Sequence, residues 1–523
     1  MAMRWLRRGL APLMPEARGY SRVSAASEGS GSGSDSDNEK PTEVVAARRG
    51  AWLSYLLFLL PSFARPSAAG VSTGRRMSPT SWLDGLRGVA AFIVVWHHSS
   101  LVYFSWDIHS AWKDSSSLFI QLPIVRVLIA GPPAVCIFFV ISGYAISLKL
   151  LKLSHLGRSA EFVDSLSSSL FRRHPRLFMP ATFVLFTSAV MSYLGAFPTE
   201  PWSKEVAIAT RVPPRLETLG AQLMDWASRS VALAYPIRNT INSRDVNPYD
   251  PNLWTLPVEF GCSFLVFTLL AVMHKFRPFV RMGFTLTLIS FCLYRAETNV
   301  FLFLSGMFLS DLRTYRTLRD TAAQAPQLPV ASYRGDDDGT TAPPTRGGIR
   351  GLLRSPAAKP LAFLAAFTAS LYVLSMPELG RGGEDAPGFA TLASLIPQYY
   401  RDARHADYFW VPLAAVFLVA TIDFAPFLQR LFTSRFAQYL GDISFSIYLV
   451  HGPLLWSYGA WLAPRFVPAG EDVTPAQYGW GVAMCYLLFW PVVIYEADIV
   501  TRVVDGQSVK FARWVYNKLV KSS

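Results

Sequence analysis

The stretch Trp82–His98 reads WLDGLRGVAAFIVVWHH and forms most of the first apolar segment that is clearly long enough to cross a membrane. It opens with two charged residues, Asp84 and Arg87, continues as an apolar run, and ends in His97 and His98. An ionisable side chain at membrane depth is costly, so it indicates a functional site. The stretch therefore predicts a membrane-spanning helix whose histidines take part in function.

The composition of the whole chain indicates an integral membrane protein. Of its 523 residues, 51% are hydrophobic and 16% are charged, whereas soluble domains carry about a quarter charged residues. The net charge of +13 comes from Lys and Arg that cluster between apolar segments, as in membrane proteins, which argues against a nucleic-acid partner. The four cysteines lie within apolar segments and form no CxxC pair, so we expect neither a disulfide framework nor a metal site.

The apolar segments predict an all-α polytopic membrane protein with about ten transmembrane helices. Lys and Arg are concentrated in the even-numbered connections, which places both the N-terminus and the C-terminus in the cytosol. A basic connection is predicted from Lys149 to Arg176. The predicted spans cover residues 83–104, 128–149, 177–197, 253–273, 279–294, 298–312, 358–376, 409–425, 440–462 and 479–501.

Several segments outside the spans have a distinct composition. Residues 1–50 form a Ser/Gly-rich acidic tail that is predicted to be disordered, and residues 51–63 form an apolar segment too short to span, predicted to be interfacial or re-entrant. Residues 198–252 are predicted to form an ordered cap on the outer side. Residues 313–357 are predicted to be a disordered cytosolic loop, and residues 511–523 a basic cytosolic tail.

The rise of an α-helix predicts the depth of each polar residue. With residue 83 at the cytosolic surface, His98 lies about 22 Å into a hydrocarbon core about 30 Å thick. Glu259 is predicted about 9 Å below the outer edge, and His451 about 16 Å above the cytosolic edge. These three residues are therefore expected in the outer half of the membrane, whereas Arg173 and Arg176 are expected at the cytosolic surface with Arg87 near it.

Each of these residue types also has a structural interpretation. Arg172, Arg173 and Arg176 are typical of cytosolic anchors, and His451 is typical of a hydrogen bond between two helices. Glu259 is equally suited to a structural ion pair with an arginine. His97 and His98 point about 100° apart on a helix, so one of them is expected to face a neighbouring helix.

Five segments resemble, in order, motifs of the acyltransferase-3 family of multispan membrane acyltransferases. The first is the opening stretch, where Arg87 and His98 match the family's basic residue and histidine eleven positions apart. The similarity covers about residues 80–510 and is of a fungal type. The other four segments are FFVISGYAIS, FRRHPRLFMP with Arg173 and Arg176, NLWTLPVEF with Trp254 and Glu259, and ISFSIYLVHGPL with Ser446, Tyr448, His451 and Pro453.

The resemblance implies transfer of an acyl group, most often acetyl, from acyl-CoA to a hydroxyl of a carbohydrate, lipid or small metabolite. The implied partners are acyl-CoA as co-substrate, a hydroxyl-bearing acceptor and membrane lipid, with no permanently bound cofactor. Arg87, Arg173 and Arg176 are expected to bind the CoA phosphates, because guanidinium groups bind phosphate oxygens in pairs.

The predicted depths give a hypothesis for the roles of the remaining residues. His98 is the expected general base, with His451 as a further member of the catalytic site. Glu259 is expected to orient the site or balance its charge, and Tyr448 or Ser446 to donate to the developing oxyanion. A covalent acyl-His98 intermediate stays open as an alternative.

Buried His and Glu residues and the broken second span (Gly131-Pro132-Pro133) also suit a proton-coupled transporter or flippase. The absence of an obvious inverted repeat favours the enzyme over this alternative. The sequence does not distinguish the endoplasmic reticulum, the Golgi and the plasma membrane, and it does not identify the acceptor.

Overall fold

The computed structural model describes residues 60–62, 77–113, 117–235, 246–324, 358–402, 406–470 and 472–520. The chain from Gly74 onward forms one compact unit. The predicted tail 1–50 and the predicted interfacial segment 51–63, apart from residues 60–62, lie outside the described residues.

The part of the chain that the structure describes is helical and contains no strand, as the sequence predicts. Two π-helical turns, Leu455–Gly459 and Thr501–Asp505, interrupt the C-terminal helices. The α-helices are α1 (Ser81–Tyr103), α2 (Gly131–His155), α3 (Ser159–Tyr193), α4 (Leu219–Ala234), α5 (Thr255–Met273), α6 (Pro278–Tyr294), α7 (Thr298–Gln324), α8 (Ala358–Leu374), α9 (Phe389–Ser394), α10 (Gln398–Asp402), α11 (Trp410–Phe424), α12 (Pro426–Phe432), α13 (Arg435–Leu454), α14 (Ala460–Phe466), α15 (Pro475–Val500) and α16 (Gly506–Leu519).

Four helical segments among the described residues are long and apolar enough to cross a membrane. They are Gly131–His155, Pro251–Met273, Ala406–Phe424 and Pro475–Leu519. Two shorter apolar helices, α6 and α8, accompany them. The count of ten spans and the cytosolic position of both termini stay predictions.

Two predicted boundaries differ from the structure. The basic connection expected between Lys149 and Arg176 is largely helical, because α2 continues to His155 and α3 begins at Ser159. Likewise, α7 continues to Gln324, beyond the predicted start of a loop at residue 313; residues 325–357 lie outside the described residues. An apolar run indicates only the part of a helix that is buried. Lys and Arg are also good helix formers, so the helix continues through the basic segment that follows or precedes the apolar run.

Glycines bring the two helices with the histidines into backbone contact. A Cβ atom on Gly88 of α1 would overlap the backbone of Leu440 and Gly441 in α13, and a Cβ on Gly441 would overlap the backbone of Asp84. Only glycine permits this approach. The close packing places the C-terminal half of α1, with His98, beside the C-terminal half of α13.

The described part of the predicted outer cap, residues 198–252, contains α4 and packs on α3. The side chain of Thr218 accepts a hydrogen bond from the backbone N–H of Ala221 at 3.2 Å and so begins α4. Trp226 of this helix donates to the backbone oxygen of Thr182 in α3 at 3.1 Å. The cap is therefore held against the helix that carries Arg173.

Candidate active site

His98 and His451 form a hydrogen-bonded pair between α1 and α13. The Nδ1 atom of His98 lies 2.9 Å from Nε2 of His451, and the two rings are stacked at 14°. His451 is fully buried, whereas His98 is half-buried. The neighbouring His97 turns away and lies 2.9 Å, through its Nδ1 atom, from the backbone oxygen of Ile129. The structure therefore pairs His98, the histidine eleven positions after Arg87, with His451.

The hydrogen-bond partners determine which ring nitrogens carry protons. Nδ1 of His451 lies 2.7 Å from the backbone oxygen of Tyr448, which can only accept, so this nitrogen donates. Nε2 of neutral His451 is then unprotonated and accepts from Nδ1 of His98. A neutral imidazole has one N–H, so Nε2 of His98 keeps a free lone pair.

A short turn before α5 supports this pair. The Asp250 side chain accepts from the backbone N–H of Asn252 at 3.0 Å and begins the turn Pro251–Trp254. The Asn252 amide nitrogen lies 3.4 Å from Nε2 of His451, and its backbone oxygen accepts from the Tyr448 hydroxyl. The Tyr448 oxygen also lies 2.6 Å from Oγ1 of Thr255. Asn252 thus contacts both polar side chains of this part of α13.

A cavity of about 540 Å³ opens between α1, α2, α3, α5 and α13. Its inner end includes Val94 and Tyr448, which lie one helical turn before His98 and His451 respectively. Its other end is charged and includes Arg87, Lys149, Arg172, Arg173, Arg176, Asp84, Asp442 and Asp505. The cavity therefore leads from a predominantly basic mouth to within one turn of the histidine pair.

The three candidate phosphate ligands differ in how they are held. Arg87 donates to Oγ of Ser444 at 2.9 Å and to the backbone oxygen of Gly441 at 3.0 Å. Arg173 donates to Glu259 at 2.8 Å and to Ser263 at 2.8 and 3.1 Å. Arg176 is exposed and forms no hydrogen bond or ion pair with the described residues. Of the three, Arg176 has the guanidinium that is most available to an anion.

The contact between Arg173 and Glu259 corrects the predicted depths. The sequence placed Glu259 in the outer half near His98 and Arg173 at the cytosolic surface, but the two side chains form an ion pair at 2.8 Å. The prediction was wrong because it began the third span at residue 177, whereas α3 runs without interruption from Ser159. Arg173 therefore lies inside the bundle, where a charge needs a partner. Ser142 also donates to Glu259 at 2.9 Å.

The seven candidate residues thus fall into two groups. Arg87, Arg173, Arg176, Glu259 and Tyr448 line the cavity, whereas His98 and His451 are not among its lining residues. Ser446, the alternative oxyanion donor, accepts a hydrogen bond at 2.7 Å from Thr501 instead, and it too is outside the cavity lining. Tyr448 connects the groups, since its ring centre lies 5.9 Å from that of His451.

Sequence reasoning missed three polar residues near the histidine pair: Asp250, Asn252 and Arg211. The first two stand in Asp250-Pro251-Asn252, where a cap residue precedes proline at a helix start, and that signal could have identified them. Arg211 lies in the Pro-rich part of the cap, which offers no such signal. Its guanidinium lies over the ring of Trp456, 5.3 Å from the ring centre.

Burial changes the protonation of Asp250, which precedes the membrane-length segment Pro251–Met273. Removal from water raises the pKa of Asp250 to about 7, against the opposing effects of the Asn252 backbone N–H and the Arg211 charge. A second, smaller cavity of about 80 Å³ is lined by His97, His109 and Arg126, among others.

Comparison with known proteins identifies relatives over most of the chain. The acyltransferase-3 family profile, described as an acyltransferase domain, matches residues 80–496. The chain is 40% identical to the O-acetyltransferase PaAT-1 of Phomopsis amygdali over 88% of its length and 89% of that protein. It is 25% identical to acyltransferase R4 of a Phoma species, over 79% of the chain and 91% of the relative. It is 24% identical to acyltransferase clz18 of Cochliobolus lunatus, over 82% of the chain and 93% of the relative. No solved structure shows significant similarity.

Proposed function

The chain belongs to the acyltransferase-3 family and is an O-acyltransferase, and on this premise we propose that it transfers an acetyl group from acetyl-CoA to a hydroxyl of a carbohydrate, lipid or secondary metabolite. The relative at 40% identity is named an O-acetyltransferase, which supports acetyl as the transferred group. The proposed setting is an internal membrane or the plasma membrane, with acetyl-CoA approaching from the cytosol. The transporter alternative loses support, because the family and the three relatives are acyltransferases.

The observation that carries this proposal is the free lone pair on Nε2 of His98. His451 accepts the Nδ1 proton of His98 at 2.9 Å, so the opposite nitrogen is an unprotonated base. A histidine held in one tautomer by a hydrogen-bonded partner is the arrangement that serves general-base catalysis.

The reaction follows from this arrangement. The acceptor hydroxyl donates its proton to Nε2 of His98 while its oxygen attacks the thioester carbonyl. A carbon–oxygen bond forms, the carbon–sulfur bond breaks, and the proton passes from His98 to the departing thiolate. The products are the acetyl ester and CoA, and His451 stabilises the transient imidazolium through the Nδ1 hydrogen bond. Tyr448, at the inner end of the cavity, is the proposed donor to the oxyanion, and to act in this way it must exchange its hydrogen bond to the backbone oxygen of Asn252 for one to the oxyanion.

The cavity supports the donor side of the proposal. Its mouth carries the exposed side chains of Lys149 and Arg176, which form no ion pair with the residues that the structure describes, and cations at such a mouth attract the phosphates of CoA. The contacts within the protein favour a different role for Arg173, which orients Glu259. Arg87, tied to α13, contributes positive charge from a fixed position.

The test uses the full-length protein in detergent with labelled acetyl-CoA and a metabolite extract from a strain that lacks the gene. The wild-type protein should release CoA and label an extract component, and the strain should accumulate compounds lighter by one acetyl group. His98→Ala should lower the rate by about 10²–10⁴-fold and still bind acetyl-CoA.

His97→Ala is the matched control, because His97 is an adjacent imidazole outside both groups of candidate residues. It should retain most of the activity. Turnover by His98→Ala at the wild-type rate, or substrate movement across liposomes without CoA release, would overturn the proposal.

A further inference from the structure

Three residues near His451 have a side-chain polar group without a hydrogen-bond partner among the residues that the structure describes. The Oδ2 atom of Asp250 and the Nε1 atom of Trp456 are buried and unpartnered, in residues that are 1% and 5% exposed. Arg211 is half-buried and forms no hydrogen bond or ion pair within the described part of the chain. Buried polar groups in native proteins are almost always hydrogen-bonded, so three unpartnered groups together indicate a binding site.

The three groups belong to one neighbourhood. The guanidinium of Arg211 lies 5.3 Å from the centre of the Trp456 ring, and Asp250 is the carboxylate whose charge acts on Arg211. Asp250 also packs against α13 next to the catalytic pair, since a Cβ atom on Gly452 would lie 2.5 Å from its Oδ1 atom. Arg211 acts electrostatically on His98 as well. The groups therefore surround the histidine pair rather than the mouth of the basic cavity.

The chemistry of the three groups restricts what they bind. Arg211 and Trp456 are donors only, whereas the carboxylate oxygen of Asp250 is an acceptor. A hydroxyl group both donates and accepts a hydrogen bond. A single hydroxyl can therefore donate to the Asp250 carboxylate and accept from Arg211 or Trp456. A carboxylate ligand would suit the two donors but would be repelled by Asp250.

The hydroxyl that satisfies Asp250 differs from the hydroxyl that reacts. The reacting hydroxyl must give its only proton to Nε2 of His98, so it has none left to donate to Asp250. An acceptor with a single hydroxyl would leave Oδ2 of Asp250 buried without a partner and would therefore bind more weakly.

We propose that Arg211, Asp250 and Trp456 form a subsite for a second hydroxyl of the acceptor, so that the enzyme acylates a diol or polyol. This inference rests on the proposed function, because it takes His98 as the base for the first hydroxyl. The second hydroxyl donates to Asp250 and accepts from Trp456 or Arg211.

Binding tests the subsite without turnover. The full-length protein in detergent is titrated with cis- or trans-cyclohexane-1,2-diol, and in parallel with the monomethyl ether of each diol, which keeps the ring and one hydroxyl. At least one diol should bind about 10-fold more tightly than its ether by thermal stabilisation, since the lost hydrogen bond involves a charged group. Equal binding of both diols and their ethers, or no binding of either diol, would overturn the inference.

The chain provides an internal control for the variants. Asp250→Asn keeps the side-chain oxygen that begins the turn, and Trp456→Phe keeps an aromatic ring. Each should nevertheless remove most of the difference in affinity between the diol and its ether. Trp461 carries a similar arginine contact, with Arg465 3.5 Å from its ring centre, but is 46% exposed. Trp461→Phe should therefore still bind the diol more tightly than its ether. Loss of this difference in Trp461→Phe would contradict the subsite, and so would an unchanged difference in both Asp250→Asn and Trp456→Phe.

A turnover measurement separates this inference from the proposed function. The same diols and ethers are supplied with labelled acetyl-CoA, and CoA release and ester formation are both followed. Release of CoA without any preference for diols would overturn the subsite but retain the acyltransferase. Diol-selective binding without consumption of acetyl-CoA would retain the subsite and overturn the proposed donor.

Discussion

The Nδ1 atom of His98 lies 2.9 Å from the Nε2 atom of His451, although 353 positions separate the two residues in the chain. This contact joins the end of α1 to the C-terminal half of α13. Because Nδ1 of His451 donates to the backbone oxygen of Tyr448, the contact also assigns the proton of each ring, and it leaves Nε2 of His98 unprotonated.

Replacement of His451 by Phe should lower kcat by about 10²-fold or more, because His98 loses the partner that holds its tautomer. The KM for acetyl-CoA should change less. Since the two histidines act as a unit, the double variant His98→Ala/His451→Phe should be no slower than His98→Ala alone. Steady-state kinetics of the four proteins measure this, and additive losses would show that the histidines act independently.

Arg176→Ala should raise the KM for acetyl-CoA about 10-fold with a smaller change in kcat, because an exposed guanidinium at the cavity mouth binds phosphate in the substrate and transition state alike. Acetyl-dephospho-CoA, which lacks the 3′-phosphate, identifies the phosphate concerned. If Arg176 binds that group, the variant should handle both donors equally. Lys275→Ala, an exposed cation between α5 and α6, is the control, and an unchanged KM in Arg176→Ala would contradict the contact.

Arg173→Ala and Glu259→Ala should each lower the free energy of unfolding by about 1–3 kcal/mol, because each leaves a largely buried charge without its partner. The side chains are only 12% and 22% exposed. The double variant should be more stable than the sum of the two losses implies. Denaturation of the three variants tests this. Strict additivity would show that the pair is not coupled and would favour Arg173 as a phosphate ligand.

Gly88→Ala should destabilise the protein by about 2 kcal/mol or more and lower activity, because the added Cβ overlaps the α13 backbone and separates the helices that carry the histidines. Gly283→Ala is the matched control. Gly283 lies within α6, and a Cβ there meets no atom within 4 Å, so the helix should be unchanged or slightly more stable. Similar melting temperatures for both variants would show that α1 and α13 tolerate separation.

Asp250 should make stability depend on pH. Burial raises its pKa from 3.8 to about 7, so between these values the folded protein binds more protons than the unfolded chain. The free energy of unfolding therefore falls as pH rises through this range, and the stabilising effect of the proton is lost above about pH 7. The Asn side chain does not titrate in this range. The melting temperature of Asp250→Asn should therefore rise relative to that of the wild type between pH 5 and pH 8.

The exposed Asp472 provides the control for that measurement. Asp472→Asn should follow the wild-type pH curve. A constant difference between Asp250→Asn and the wild type across pH 5–8 would show that Asp250 has the same proton affinity in the folded and unfolded states.

The fold class was predictable because it depends on local composition. Long apolar segments separated by basic connections predicted an all-helical membrane protein, and each predicted span overlaps a helix, although α3 and α7 extend well beyond theirs. Boundaries were less predictable at charged residues, since a basic segment such as 159–176 continues a helix as readily as it ends one. The depth estimate for Arg173 and Glu259 was wrong for the same reason.

The candidate site was predictable only where its residues stand within one segment. The spacing of Arg87 and His98 distinguished His98 from His97, and the structure joins that histidine, not His97, to His451. The role of each residue stays a prediction. Arg211 carries no comparable local pattern, because a guanidinium in a polar segment has many possible partners.

By itself, the sequence determined the helical membrane class, the family and the segments that carry the candidate residues, because hydropathy and motif spacing are local properties of the chain. Only the tertiary structure decided that His451 accepts a hydrogen bond from His98, that Arg173 forms an ion pair with Glu259, and that Oδ2 of Asp250 and Nε1 of Trp456 lie near Arg211 without a hydrogen-bond partner among the described residues. Those relationships join residues far apart in the chain, and they depend on which helices pack together and at what separation.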